Sequence, residues 1–384
     1  MNILNDNWEV SGNDLGQLQK ELYGMDERTE ILSVRSDRMP LVTLMGTSGD
    51  NNWGYVHQSP VVQKEIDLDE IGSPDIVKET RQIGTLLMAG DKYYPIGDRF
   101  MPTLFQRAGG VSGGELSKDN NRELQFYWNS AIGKYLQRHP VQIRLVKKTD
   151  ESGKAKLFAA MSSRFALVSQ NGFMKSILDV FVPEMGQPDQ VRYKVSNYLT
   201  SVYLEFPEKA QDFAAVYKLP ASMIPGALIL TSDVGECSCT IYGTYRMGNT
   251  FQYVPGSSYK RIHTLNAGLK DIRDGINREV FPEYTKLPER LCELLTIDVP
   301  DPERTIESVV KQLGIEKVYL LKGTRDIIDR IKSNISPNTI YTAYDICQWF
   351  FEEGDRRCFE KQRSCKSTQE KSRNLFLKAA FCKY

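Results

Sequence analysis

Val141-Gln-Ile-Arg-Leu-Val146, Asp150-Glu-Ser-Gly153 and Lys156-Leu-Phe-Ala-Ala-Met161 follow one another closely. The first run alternates apolar and polar residues, as a strand with one buried face does. The second carries the Asp and Gly of a tight turn, so the third returns antiparallel. Further strand-like runs recur downstream between Gly and Pro: Val191 to Phe206, Ala227 to Leu230, Cys239 to Tyr245 and Thr250 to Val254. Upstream, Arg99 to Arg107 begins a helix. Arg122 to Leu136 has helical spacing, with Leu124, Trp128, Ile132 and Leu136 on one face. Asn171 caps a helix carrying Met174, Ile177, Leu178 and Phe181. Beyond residue 266 the pattern is helical. Ile306, Val309, Val310 and Leu313 form one stripe, and Ile327, Ile328 and Ile331 a second. A third helix, Thr339 to Glu353, carries Tyr341, Tyr344, Trp349, Phe350 and Phe351. The fold class expected is α+β: a central, mostly antiparallel sheet with flanking helices and a helical C-terminal part.

The chain has 384 residues, more than one core usually holds. Three regions are expected. Residues 1–90 form an acidic N-terminal extension, with short strands at Ile31–Arg35 and Leu41–Met45 and a turn from Gly46 to Gly54. Val61 to Arg81 reads as a solvated linker or surface helix. Residues 91–265 form an α+β core domain, and 266–384 a helical region. The 41% hydrophobic and 26% charged content excludes a disordered chain. No apolar run approaches the ~18 residues of a membrane span. The N-terminus lacks a secretion signal and the seven cysteines are odd in number. A cytoplasmic protein with reduced thiols is expected.

Net charge is zero, but unevenly spread. Residues 1–80 hold fifteen Asp/Glu and six Lys/Arg, a balance of −9 that leaves +9 for the rest. The asymmetry points either to a nucleic-acid partner or to acidic and basic parts that face each other.

No catalytic pattern emerges. His57, His139 and His263 are scattered, with no HxH or HExxH spacing. Cys237 and Cys239, and Cys347, Cys358 and Cys365, lack the tight pairs of thiolate zinc sites, so no metal or cofactor is expected. Gly46–Gly49 and Gly109–Gly114 lack the lysine of a phosphate loop and read as turns. There is no GxSxG elbow. Glu65 to Glu70 reads as a solvated acidic face.

One stretch stands apart. Cys237 to Lys270 contains no acid. It holds Arg246, Lys260, Arg261 and Lys270 among Tyr242, Tyr245, Phe251, Tyr253 and Tyr259. Cations attract phosphates and ring faces stack on unpaired bases, a combination suited to single strands. A second basic patch lies on the hairpin, with Arg144, Lys147 and Lys148, and a third from Arg356 to Lys378. The expected contacts are Arg144, Lys147, Lys148, Arg246, Lys260 and Arg261 to phosphates, with Tyr245, Phe251 and Tyr259 stacking on bases. Alternating aromatics that pack a core are the plainer alternative.

Tyr94 to Gly109 leading into Phe126 to Tyr135, then Leu157 to Asn171, then Pro337-Asn-Thr-Ile-Tyr-Thr-Ala-Tyr-Asp345, resemble in that order the phage/plasmid-like family catalogued as domain of unknown function 932. Ala227 to Gly235 and Arg261 to Thr264 are also similar to its middle region. Ser163 stands where that family tends to show Asp, and Phe165 where it shows Tyr. The resemblance implies a setting in phages, plasmids and other mobile elements, and no activity. The expectation is a non-enzymatic single-stranded DNA-binding protein of replication or recombination, with a homo-oligomer possible. The alternative is a phage protein that inhibits a host or defence protein through the acidic segment.

Overall fold

The hairpin read from Val141 to Met161 forms in the computed structural model, and it lies at the joint of the molecule. Asp150 closes its turn by accepting backbone hydrogen bonds from Ser152 and Lys154 at 2.9 and 3.0 Å. Gly153 there has φ +80°, which favours glycine. The structure describes residues 2–47, 53–59, 62–107, 121–219, 223–248, 250–263, 270–315, 324–360 and 375–384.

In chain order the elements are β1 (Glu9–Gly12), α1 (Leu15–Arg28), β2 (Thr29–Arg35), β3 (Leu41–Thr47), β4 (Trp53–Ser59) and β5 (Val62–Asp67). Next come α2 (Leu68–Ile71), α3 (Pro74–Ile83), β6 (Thr85–Ala89), β7 (Lys92–Pro95), α4 (Phe100–Arg107) and α5 (Arg122–Arg138). β8 (Gln142–Thr149), β9 (Ala155–Ser162), α6 (Gln170–Met185), β10 (Gln190–Ser196), β11 (Thr200–Glu205) and α7 (Pro207–Tyr217) follow. The remainder is β12 (Met223–Thr231), β13 (Cys239–Met247), β14 (Thr250–Arg261), α8 (Lys270–Gly275), α9 (Lys286–Leu294), β15 (Asp298–Val299), α10 (Pro302–Leu313), α11 (Thr324–Lys332), β16 (Tyr341–Thr342) and α12 (Ala343–Glu360).

The fold is α+β. The largest sheet has the order β1-β10-β11-β12-β13-β14 and every neighbour is antiparallel. Its inner face carries Val191, Val195, Val202, Leu204, Ile229 and Ile241. These join the main core with Leu18 and Leu22 of α1, Phe173 and Phe181 of α6, and Phe350 and Phe351 of α12. The stripe Ile306, Val309, Val310 and Leu313 of α10 is buried in the same core. A three-stranded sheet, β2-β8-β9, and a five-stranded sheet, β5-β4-β3-β6-β7, complete the larger layers.

Five sequence expectations need correction. The helix expected from Thr339 to Glu353 begins at Ala343, because Tyr341 and Thr342 pair with β15 as β16, and it runs on to Glu360. Residues 1–90 are no extension: β1 is an edge strand of the largest sheet, β2 pairs with β8, and Leu4 and Trp8 belong to the main core. Val61 to Arg81 is no solvated linker, because β5, α2 and α3 bury Ile66, Leu68, Ile71, Ile76 and Val77. These apolar residues are spread over three short elements, so no single period reveals them. On α5 the buried face is Gln125, Asn129, Ile132 and Leu136, while Leu124 is exposed. Both buried amides are satisfied: Gln125 donates to the Ile83 carbonyl at 3.0 Å, and Asn129 donates to the hydroxyls of Thr43 and Thr85 at 2.9 and 3.0 Å. The cap of α6 is Ser169, whose hydroxyl accepts from the Gly172 amide at 2.9 Å, with Asn171 inside the helix.

Part of the charge asymmetry is consumed within the fold. Asp6 and Glu79 meet Lys156 at 3.1 and 2.6 Å, Glu9 meets Lys194 at 2.5 Å, and Glu30 pairs with Lys147. Lys156 has 1% of its side chain exposed, so its two carboxylates supply the opposite charge that burial demands. Replacing both Asp6 and Glu79 by Ala should therefore cost roughly 3–5 kcal/mol in urea denaturation. Adding Lys156→Met to that pair should recover most of the loss. A pair costing under about 1 kcal/mol would show that the joint is not held this way.

Candidate functional site

The outward face of the largest sheet is the surface that brings cations and rings together. Strand alternation decides which residues reach it. On β10 the residues Gln190, Arg192 and Lys194 are exposed, while Val191, Tyr193 and Val195 are buried. The register carries this face across the sheet: Arg192 lies opposite Tyr203, Tyr203 opposite Leu228, and Leu228 opposite Tyr242. At the other end Arg246 lies opposite Phe251.

Four rings form a connected ladder on this face. Tyr203 and Phe251 meet edge to face at 4.8 Å, Phe251 and Tyr253 at 5.4 Å, and Tyr253 and Tyr242 at 5.2 Å. The Arg192 guanidinium sits 4.9 Å from the Tyr203 ring centre, a cation–π contact. Beneath these groups Glu205 is 1% exposed and is held by Arg246 through two hydrogen bonds of 2.8 and 2.9 Å. Burial alone would raise the Glu205 carboxyl, but the Arg246 hydrogen bonds and charge carry it below its usual range. The acid is thus neutralised, and the open depression above it, of about 770 Å³, is lined by Arg192, Lys194, Arg246, Tyr203 and Phe251.

The residues expected from sequence distribute as follows. Arg246 and Phe251 reach this face, and Lys260 is exposed at its other end. Tyr245 and Tyr259 do not, because they occupy the inner parity of their strands. Tyr245 is fully buried and donates its hydroxyl to the Tyr284 carbonyl at 2.8 Å. Tyr259 is 7% exposed and donates to the Asp271 carbonyl at 3.3 Å. Neither ring has a face to offer a base here. Arg261 pairs with Asp271 at 3.1 Å. On the hairpin, Arg144 donates to the Phe165 carbonyl at 2.5 Å, Lys147 pairs with Glu30, and Lys148 is fully buried. None of these three belongs to the outward face. Of the C-terminal patch, Arg356 pairs with Glu353 at 2.6 Å, and residues 361–374 lie outside the described ones. The turn expected at Gly109–Gly114 also lies outside them.

Sequence reading missed Arg192, Lys194 and Tyr203. The alternation Gln190-Val-Arg-Tyr-Lys-Val-Ser196 contains the first two, since period two sets Arg192 and Lys194 on the polar face. Tyr203 depends on the β10–β11 register, which only the fold supplies.

One arrangement resembles a nucleophile and its base. The Cys239 thiol lies 3.5 Å from His263 Nε2. Cys239 is fully buried, and burial pushes its thiol up to about 11, opposite to an activated cysteine. Among the described residues no group of three or more His, Cys, Asp or Glu could hold a metal, and no helix is long and apolar enough to cross a membrane. No known family model, curated protein or solved structure matches the chain, so the family resemblance stands on its quoted segments alone.

Lys148 has a measurable signature. Its ammonium donates to the carbonyl and side-chain oxygen of Asn197 at 3.2 and 3.1 Å, and burial lowers its pKa to about 8, against some restoring attraction from Asp233. Between about pH 8 and 10.5 the folded state has released this proton while the unfolded chain still holds it, so this group's contribution raises stability as pH rises. Relative to Lys148→Met, the wild type should gain about 3 kcal/mol over that window in urea titrations. A difference independent of pH would show that Lys148 titrates normally.

Proposed function

We propose that this chain is a non-enzymatic binder of single-stranded DNA. The outward face of the six-stranded sheet is its contact surface. The observation that carries this reading is the ladder Tyr203, Phe251, Tyr253 and Tyr242, bordered by Arg192, Lys194, Arg246 and Lys260. A sheet presents such groups on a flat, wide surface, and unpaired bases expose the ring faces that stack on it. Phe251 and Tyr242 are the more accessible rings, and the Arg192 guanidinium over Tyr203 offers a second stacking plane. Glu205 pairs with Arg246 and Arg192, and Glu9 with Lys194, so with Lys260 four cations face two acids and phosphates meet a net positive field. The family resemblance implies the setting of a phage or other mobile element in its host's cytoplasm; replication or recombination is the role there that a single-strand binder fits. For capture of a host protein through the acidic segment, Asp6, Glu9, Glu30 and Glu79 are already paired within the fold, which leaves the exposed acids around Glu65 to Asp75 as the surface that reading would need.

Fluorescence anisotropy with oligo(dT) across a salt series tests this. Phe251→Ala should weaken binding roughly 5- to 150-fold, the ~1–3 kcal/mol of one lost stacking partner. Arg192→Ala with Lys194→Ala should flatten the slope of log K against log salt by about 1.4, at ~0.7 per phosphate contact. Tyr245→Phe should change neither. Arg246→Ala is a poor probe, since it strands the buried Glu205. Unchanged affinity and slope in the first two variants would remove this face from the account.

A further inference from the structure

The outward face does not end alike at its two sides. At the Arg246 end it is open. At the Thr240 end it runs into a wall formed by Ser162, Arg164 and Phe165, where the chain leaves β9. Between sheet and wall lies a cavity of about 570 Å³, with Leu230, Thr240 and Tyr242 lining it from the sheet. The wall is braced: Arg144 holds the Phe165 carbonyl, and the Phe165 ring stacks on His263 at 5.4 Å. Arg107, Arg164 and Lys260 also line the cavity, all three are exposed, and none has an ion pair among the described residues. The cavity's acid, Glu236, is already paired with Arg99 at 2.8 Å. The hydroxyls of Ser162 and Ser238 complete a lining rich in donors.

We infer that this cavity holds the terminal phosphate monoester of a strand lying on the sheet. The inference rests on the sheet face being the strand's track. A track with a wall at one side cannot pass an internal segment straight on, so the group arriving there is an end. From Arg246 to Thr240 that track is about 20 Å long at the ordinary rise of a strand. A phosphate monoester carries close to two charges near neutral pH, against one for an internal diester. Three cations with no ion pair among the described residues around one cavity therefore favour the end over the middle of a chain.

Oligo(dT) of about ten nucleotides, within the ~4–16 that a single-strand platform covers, should be compared in three forms: 5′-phosphorylated, 3′-phosphorylated and hydroxyl at both ends. One phosphorylated form should bind about tenfold tighter than the hydroxyl form, and which one reveals the strand's direction. Arg107→Ala with Arg164→Ala should erase that advantage while leaving the hydroxyl form within about threefold, since neither residue belongs to the sheet face. Equal affinity for all three forms overturns the end-binding cavity and leaves the sheet-face reading intact. An advantage that survives the double variant places the phosphate elsewhere and also overturns it. If no strand binds at all, the sheet-face reading falls, and thymidine monophosphate decides the cavity alone. It should then raise the melting temperature of the wild type and not of the double variant, and the absence of any shift overturns the cavity too.

Discussion

Two lysines stand opposite each other on β8 and β9, and both are fully buried. Lys148 and Lys156 are register partners, so their charges point to the same side of one hairpin. Like charges in that position repel, and burial strips both of water. The arrangement survives because each lysine is answered from a different part of the chain. Lys156 takes Asp6 and Glu79 from the N-terminal region. Lys148 takes Asn197 from the β10–β11 turn, and Asn197 donates in turn to the carbonyls of Ile3 and Asn5 at 2.7 Å. The Phe158 ring lies between, 5.2 and 5.4 Å from the two ammonium groups. The N-terminal segment, the hairpin and the large sheet are thus tied at one place. That joint fixes where β10 and β11 lie, and hence where Arg192, Lys194 and Tyr203 project.

The same joint explains why a neutral protein has such a lopsided charge distribution. Four acids of the first eighty residues, Asp6, Glu9, Glu30 and Glu79, are spent against lysines beyond residue 140. What remains on the outward face is cationic because its acids Glu205 and Glu9 are answered by Arg246, Arg192 and Lys194 of the same sheet. Parity does the rest: Tyr242 and Arg246 share one face of β13, and Tyr245 the other.

The sheet-and-helix content was legible because period two and period 3.6 survive in long runs such as Val141–Val146 and Ile306–Leu313. The integration of residues 1–90 was not, because β1 and β2 find their partners far along the chain and no local pattern names a partner. The face of α5 was misread because its buried positions include Gln125 and Asn129, amides that hydrophobicity counts as outward. The candidate site was half legible. The acid-free stretch from Cys237 to Lys270 spans β13 and β14 of the proposed face, but its aromatics are not one set, since Tyr242 and Tyr245 are an odd number of residues apart and point to opposite sides. The hairpin lysines looked like a phosphate patch because sequence shows charge and hides burial.

The most direct test of the outward face as the contact surface is ultraviolet cross-linking of the protein to oligo(dT), with the modified residues mapped by mass spectrometry. The account expects cross-links at Phe251, Tyr242 or Tyr203. Cross-links confined to other surfaces, the C-terminal basic segment above all, would contradict it.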